Sequence, residues 1–157
     1  QFRSFPTSLL FVFLTVAAFF KSLRLAAVAM VPALLPVVVT LGLMGWAGMS
    51  LDVGRAMIGS IMIGIGVDDA VHMLSHYDKR HKAGDSPCEA ISQAVMHTGR
   101  AIVTTSLALS LGFLTLLFSA WQTISSFGFF VSLSILTALA AVLLVLPAVI
   151  FAVAGKE

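Results

Sequence analysis

The longest charge-free stretch of this chain runs from residue 101 to residue 155 and is almost entirely apolar. As one helix it would be roughly 80 Å long at about 1.5 Å per residue, whereas the hydrocarbon core of a bilayer is about 30 Å thick. The stretch must therefore fold back once, and the polar residues around Trp121 predict the turn. Because 59% of the 157 residues are hydrophobic and only 10% are charged, a soluble fold of this size could not bury the apolar surface. The bilayer is the predicted solvent.

The charge-free runs predict an all-α, polytopic membrane protein with five transmembrane helices, because each crossing needs roughly 20 residues. The predicted helices cover about residues 5–20, 25–45, 56–77, 93–118 and 125–153. Two prolines in the second helix, Pro32 and Pro36, predict a kink or a locally opened hydrogen-bond ladder. We interpret residues 1–157 as a single membrane domain and as a piece of a longer chain.

A helix-start signal lies in the loop before the fourth crossing. Ser86, Pro87 and Glu89 match an N-cap, a proline in the first helical position and a capping-box glutamate. They predict a cytoplasmic elbow helix that starts at about residue 87. We expect its first turns to lie along the membrane surface before the chain turns inwards near Gly99.

Lysine and arginine residues are distributed unevenly between the two sets of helix ends. Only Arg3 and Arg55 fall at one set, and Trp46 and Trp121 fall in the connections on that side. Basic residues mark cytoplasmic ends, so this side is predicted to be external, with the N-terminus outside and the C-terminus in the cytoplasm. The basic residues of the cytoplasmic set are Lys21, Arg24, Lys79, Arg80, Lys82, Arg100 and Lys156. The net charge of only +2 excludes a basic surface for nucleic acid.

Two adjacent acids stand inside the apolar pattern of the third helix. Asp68 lies about 12 residues, or roughly 18 Å, beyond the outer end near Ala56. An ionised carboxylate at that depth opposes insertion by about 2.5 to 3.5 kcal/mol. Asp68 and Asp69 could instead share a proton and release it when water or a cation arrives, which predicts a proton relay. The alternative is a polar network that only fixes how the helices pack.

The helical neighbours of Asp68 refine this prediction. Gly64 lies one turn before it and His72 one turn after it. Small residues at Ser60, Gly64 and Gly66 would let a neighbouring helix approach closely at the relay. His72 would tune the acid pair or accept a proton, or would simply be hydrogen-bonded within the packing.

The fourth helix carries a cation and hydroxyl groups that could join the same network. Arg100 and Thr104 share one stripe, and Thr105 and Ser106 lie beside it. Arg100 has an alternative role as a topology anchor near the inner surface. No metal site is predicted, because Asp68 and His76 at the ends of the Asp68, His72 and His76 stripe are about 12 Å apart along a straight helix. No catalytic signature was found, so neither an enzyme nor a cofactor is predicted.

Several short motifs together resemble the resistance-nodulation-division (RND) superfamily. They are Gly-x-Gly-x-Asp-Asp at residues 64–69 with the following Ala70-Val71-His72, Ala90-Ile91, the run from Thr98 to Ile102, and Leu146-Pro147-Ala148. The branch they resemble most contains the MMPL exporters, Patched and the sterol-sensing domain. Many of those relatives have tyrosine where this chain has Asp69.

The resemblance implies helices two to six of a half-transporter in the cell inner membrane, with Asp68 as the acid that carries the proton. It further implies proton-driven export of lipids or other hydrophobic molecules, a second half and large extracytoplasmic domains. Without that second half, a groove beside Asp68 would face lipid or a second copy of the chain in a homo-oligomer. Two alternatives remain at this point, which are a sterol-sensing-like module that binds lipid or a partner without transport, and a carrier of small ions.

Overall fold

A computed structural model describes residues 4–49 and 53–154, and every regular element within these ranges is helical. The helices are α1 (Ser4–Phe20), α2 (Leu23–Trp46), α3 (Val53–Lys82), α4 (Pro87–Leu114), α5 (Gln122–Ala140) and α6 (Leu146–Ala154). The predicted all-α class is confirmed. The second helix continues through both of its prolines, Pro32 and Pro36, which are buried.

Two short segments in the second half of the chain depart from regular α-helix. A 3₁₀ turn at Thr115–Phe118 extends α4, and a π-helical turn at Ala141–Val145 joins α5 to α6. The wide turn lies just before Pro147, which has no amide hydrogen and whose ring would collide with the carbonyl four residues earlier in a regular α-helix. The predicted reversal around Trp121 occupies residues 119–121, and α5 begins three residues earlier than expected.

The helices have the length and composition of membrane spans. Four apolar stretches are long enough to cross a bilayer, namely Leu23–Trp46, Met57–Lys82, Pro87–Phe118 and Gln122–Val153. A shorter apolar stretch, Pro6–Phe20, lies in α1. At about 1.5 Å per residue it is roughly 22 Å long, so it can span only with local thinning or with Lys21 reaching up to the headgroups. The described chain is therefore a multi-pass helical bundle.

Helix α3 lies at the centre of the bundle and contacts α1, α2, α4 and α5. Its buried face includes Met62, Ile63 and Leu74. Gly66 allows a close approach of α3 to α2, since an added Cβ would lie 3.2 Å from Ala33 Cα. The packing of this face against the bundle fixes the rotation of α3 about its own axis, and therefore the direction in which the opposite face points.

Buried hydroxyl pairs connect α5 to its neighbours. Thr40 of α2 is hydrogen-bonded to Ser134. Ser110 of α4 and Ser132 are 2.5 Å apart between their hydroxyl oxygens. In hydrocarbon, such interhelical bonds satisfy polar groups that lipid cannot solvate.

Helix α4 begins at Pro87, where the capping signal predicts a helix start. The Ser86 hydroxyl accepts a bond from Glu89 N at 3.3 Å, and Glu89 Oε2 accepts one from Ser86 N at 3.2 Å. The expected inward turn near Gly99 is wrong, because α4 is continuous from Pro87 to Leu114. Gly99 is buried where an added Cβ would lie 3.4 Å from Leu143 Cδ2, so it allows close packing instead of a bend.

Basic side chains collect at one end of the described bundle. Lys21 and Arg24 lie at the α1–α2 connection, and the last turn of α3 contains Lys79, Arg80 and Lys82. Two predicted topology residues, Arg3 and Lys156, lie outside the described residues, as does the side chain of Arg55.

Candidate functional site

A polar stripe runs along the outer surface of α3. Ser60, Gly64, Asp68 and His72 follow one another at four-residue spacing, and all four are exposed. The side chain of Asp68 is 74% exposed and that of His72 is 68% exposed. Asp68 lies roughly 17 Å along the helix from Met57, where the apolar stretch of α3 begins. The bundle therefore presents a carboxyl group on its surface at the depth of the bilayer centre.

The imidazole of His72 is the nearest ionisable partner of that carboxyl group within α3. His72 Nε2 and Asp68 Oδ1 are 3.6 Å apart. This distance is too long for a direct hydrogen bond but short enough for an ion pair when the imidazole is protonated. Asp68 and His72 are therefore positioned to form an ion pair across one helical turn.

Asp69 is oriented differently from Asp68. It is half-buried and accepts a hydrogen bond from Ser106 Oγ of α4 at 3.5 Å. Ser106 itself is only 2% exposed. Although adjacent in sequence, the two acids therefore have different surroundings, since Asp68 faces outward and Asp69 is directed towards α4.

A groove of about 410 Å³ lies between α3 and α4 beside these acids. Its polar wall contains Asp68, Asp69 and His72 from α3, and Thr105 and Ser106 from α4. Its apolar wall is formed by Ile65, Ala101, Ile102 and Leu109. The groove is large enough to admit water or a small cation to the carboxyl groups.

Only some of the α4 residues that were predicted to join the network of the acids line the groove. Thr105 lines it, whereas Arg100 and Thr104 are exposed and do not. The Thr104 hydroxyl donates to Arg100 O at 2.9 Å, and the Thr105 hydroxyl donates to Ala101 O at 3.1 Å. Each hydroxyl is thus satisfied by the preceding turn of its own helix. Within the described ranges, Arg100 forms no hydrogen bond or ion pair with either acid.

The small residues on α3 have unequal contacts. A Cβ added at Gly64 would meet no atom of the described chain within 4 Å, and Ser60 is exposed. Gly66, on the buried side, makes the close approach to α2. The close packing expected at Ser60 and Gly64 is therefore not a feature of the described part of this chain.

One groove residue was not predicted as a site residue. Thr98 lines the groove, and its buried hydroxyl has no hydrogen-bond partner among the described residues. Ser106 was predicted as one of the hydroxyl groups of α4 that could join the network, and it donates the hydrogen bond to Asp69. Thr98, Ser106 and Ser110 lie on one face of α4 at multiples of four residues, and this spacing of hydroxyl groups is the signal that could have identified Thr98.

Another histidine of α3, His76, points to a different neighbour. His76 packs against His97 of α4, with ring centroids 4.6 Å apart. In the described ranges, no three histidine, cysteine or acidic side chains are grouped so that they could hold a metal ion.

The fold and the groove define a polytopic, helical membrane protein with ionisable groups inside an apolar stretch of α3. The sequence model of the MMPL family matches residues 3–157. This chain belongs to the MMPL family, which confirms the resemblance noted in the sequence.

Two relatives show how much of each chain the sequence match covers. MJ1562 of Methanocaldococcus jannaschii, which is named as a membrane protein, is 31% identical over 150 residues, covering 94% of this chain and 39% of MJ1562. MmpL12 of Mycobacterium tuberculosis, which is named as a transport protein, is 27% identical over 93 residues, covering 59% of this chain and 8% of MmpL12. The chain thus spans well under half the length of these relatives.

Proposed function

We propose that this chain is the membrane half of a proton-coupled, RND-type exporter of lipids or other hydrophobic molecules. The observation that carries the proposal is the exposure of Asp68 at mid-membrane depth. An ionised carboxylate facing lipid there costs about 2.5 to 3.5 kcal/mol, so stability alone does not favour it. Membership of the MMPL family and the transport name of MmpL12 support the same role. No catalytic role is proposed.

In this mechanism Asp68 is the proton carrier and Asp69 links the carrier to α4. Protonation neutralises Asp68 and removes the part of the penalty for contact with an apolar surface that comes from its charge. Loss of the proton creates a charge that must be met by His72, by water in the groove or by a cation from a neighbouring helix. Asp69 is adjacent to Asp68 and accepts a hydrogen bond from Ser106 of α4. A change of charge at Asp68 would act on Asp69 and, through this hydrogen bond, would alter the packing of α3 against α4.

We further propose that the polar stripe of α3 contacts the second half of the transporter, or a second copy of the chain in a homo-oligomer. Ser60 and Gly64 are small enough to admit a close helix. Exposed Ala101, Ala108 and Gly112 on α4 extend the surface of small residues. Lipid tails cannot solvate Asp68, whereas a helix with polar or cationic side chains could.

The orientation proposed is an external N-terminus and a cytoplasmic C-terminus in the cell inner membrane. In a Cys88→Ser background, single cysteines at Ala47, Ala83 and Gln122 test it. Cysteines at 47 and 122 are expected to react with a membrane-impermeant maleimide in intact cells, and the cysteine at 83 only after permeabilisation. Equal reaction of 83 and 122 in intact cells would overturn the orientation.

Proton movement in reconstituted vesicles tests the proposed function. The full-length protein is expected to move protons when a lipid substrate is added, as read by an internal pH-sensitive dye. The 157-residue chain alone is expected to give no flux above empty vesicles, because Asp68 would lack its covering half. Robust flux through the chain alone would favour a carrier of small ions.

A lipid-binding module without transport is the second candidate. An apolar groove of about 500 Å³ between α1 and α2 favours it. The groove is lined by Leu9, Leu10, Phe13, Met30 and Val31, among others, and could accept an acyl chain or a sterol. This candidate predicts lipid binding by the full-length protein with no accompanying proton movement.

A further inference from the structure

Two histidine rings meet between α3 and α4 at the end of the groove that is nearer to the basic residues. His76 of α3 and His97 of α4 have ring centroids 4.6 Å apart. His97 is followed directly by Thr98, which is nearest to the start of α4 among the residues that line the groove. The histidine pair therefore lies where the groove that contains Asp68 ends.

The register of the two helices supports this placement. Asp69 accepts its hydrogen bond from Ser106, whereas His76, seven residues further along α3, faces His97, nine residues back along α4. The two helices are therefore antiparallel here, and the pair lies roughly 10 Å from the acids along the bundle. On α3, His72 lies one turn from His76 on the side of the acids.

The two rings differ in their access to water. His97 is exposed and His76 is half-buried. In the described part of the chain, neither ring is held by a hydrogen bond or an ion pair, so both can exchange a proton with water. Histidine ordinarily changes its charge between pH 5 and pH 8. Such a pair can therefore pass a proton between bulk water and the groove.

The charges around His76 suit the transfer of a proton. The titratable and charged groups that act on it are His97 from α4, and Lys79 and Arg80 from the next turn of α3. Each of them is a cation or becomes one on protonation, so none can hold a proton on His76 through an ion pair. Two imidazolium ions at this separation repel each other, so the pair carries one proton at a time.

A hydroxyl group links the pair to the rest of the groove. Thr98 Oγ1 is buried and has no hydrogen-bond partner among the described residues. A hydroxyl both donates and accepts hydrogen bonds, so Thr98 can hold a water molecule between the histidine pair and His72. His72 Nε2 is in turn 3.6 Å from Asp68 Oδ1. Polar groups thus follow one another from Asp68 to the end of the groove.

We propose that His76 and His97 are proton-transfer residues that connect Asp68 with the water at the basic end of the bundle, which is the cytoplasm in the proposed orientation. A proton that leaves Asp68 forms an N–H bond on His72, and water beside Thr98 carries it to His76. His97 then accepts the proton and releases it to bulk water, so that every ring returns to its neutral form. The inference rests on the proposed role of Asp68 as the proton carrier.

Proton flux through the full-length protein in vesicles tests this path, with two substitutions at His97 that match in shape and differ in their ability to carry a proton. At equal amounts of inserted protein, His97→Gln should reduce the substrate-dependent flux by roughly a hundredfold, the lower end of what a positioned proton-transfer group contributes. His97→Glu should keep most of the flux and shift its pH dependence to lower pH, because a carboxyl group ordinarily titrates at a lower pH than an imidazole. His76→Gln should lose as much as His97→Gln, and the double variant no more than either, because the two rings act in series.

His81→Gln is the matched control. His81 lies at the same end of α3, but its ring is stacked on Tyr77, its Nδ1 is 3.4 Å from Asp85 O, and it does not line the groove. This variant should keep the wild-type flux. The proposal is overturned if His81→Gln loses as much flux as His97→Gln, or if His97→Gln and His97→Glu lose flux equally, since the rings would then serve packing alone.

The wild-type result separates this inference from the proposed function. A wild-type protein without substrate-dependent flux would contradict the proposed function, and the inference would fall with it. Wild-type flux that persists unchanged in His76→Gln and His97→Gln would overturn the path through the histidine pair alone and would leave Asp68 as the carrier.

Discussion

Replacement of Asp68 by Asn is expected to reduce lipid export by the full-length protein to the level of membranes that lack it. Asparagine keeps the size and part of the hydrogen bonding of aspartate but cannot gain and lose a proton. Folding and insertion should survive, because the Asp68 side chain is 74% exposed in the chain and packs against little. Export of a fluorescent lipid from energised vesicles, together with the amount of inserted protein, measures both effects.

Asp69→Asn is the matched control for this prediction. Asparagine can still accept the hydrogen bond from Ser106, so a milder loss of export is expected. An equal loss in the two variants would indicate that the pair shares one proton. If Asp68→Asn lowered expression or thermal stability while the inserted protein still exported lipid, the acids would be a packing network and not a relay.

Gly128→Ala is expected to cause the largest loss of stability among single-methyl substitutions at the described glycines. A Cβ at Gly128 would lie 2.6 Å from both Phe113 O and Leu116 Cβ. The first of these atoms belongs to the backbone, so α5 and the end of α4 would have to separate. Overpacking of this kind typically costs about 1 to 3 kcal/mol. The melting temperature in detergent, read by the loss of helical circular dichroism, should fall accordingly.

Gly42→Ala serves as the control for Gly128→Ala. Gly42 is also inside a helix, but an added Cβ there would meet no atom of the described chain within 4 Å. Alanine is favoured over glycine in a helix by up to about 1 kcal/mol, so this variant should be as stable as the wild type or slightly more stable. A Gly128→Ala protein that melts with the wild type would contradict the tight α4–α5 contact.

The helices themselves were predictable because their signal is local. Runs of apolar residues bounded by charges define segments that must satisfy their backbone groups internally in a bilayer. The start of α4 was predictable for a similar reason, since Ser86, Pro87 and Glu89 form a cap among themselves. The need for a reversal follows from the length of the apolar stretch, and its place at residues 119–121 follows from the polar residues around Trp121.

Which face of each helix is buried was not predictable in the same way. In a soluble protein the apolar face turns inward, but lipid tails are as apolar as a protein core, so hydrophobicity does not select the buried face. The four-residue stripe of Ser60 and Gly64 therefore indicated a packing face, whereas within the described chain Met62, Ile63 and Gly66 pack instead.

The acids of the groove were predictable, and its hydroxyl groups were predictable as candidates but not in the contacts that they make. Charged residues in an apolar helix are conspicuous because of their insertion cost, and Asp68, Asp69 and His72 all line the groove. Serine and threonine carry no such cost, since each can bond to its own helix, as Thr104 and Thr105 do. Only the packing of α3 against α4 shows that Ser106 reaches Asp69.

The role of Asp68 as proton carrier is tested most directly by proton movement itself. The full-length protein and its Asp68→Asn variant are reconstituted at equal density, and the internal pH is followed when a lipid substrate is added. The expected result is substrate-dependent proton flux for the wild type and none above empty vesicles for Asp68→Asn. Wild-type flux through correctly inserted Asp68→Asn protein would contradict the assignment.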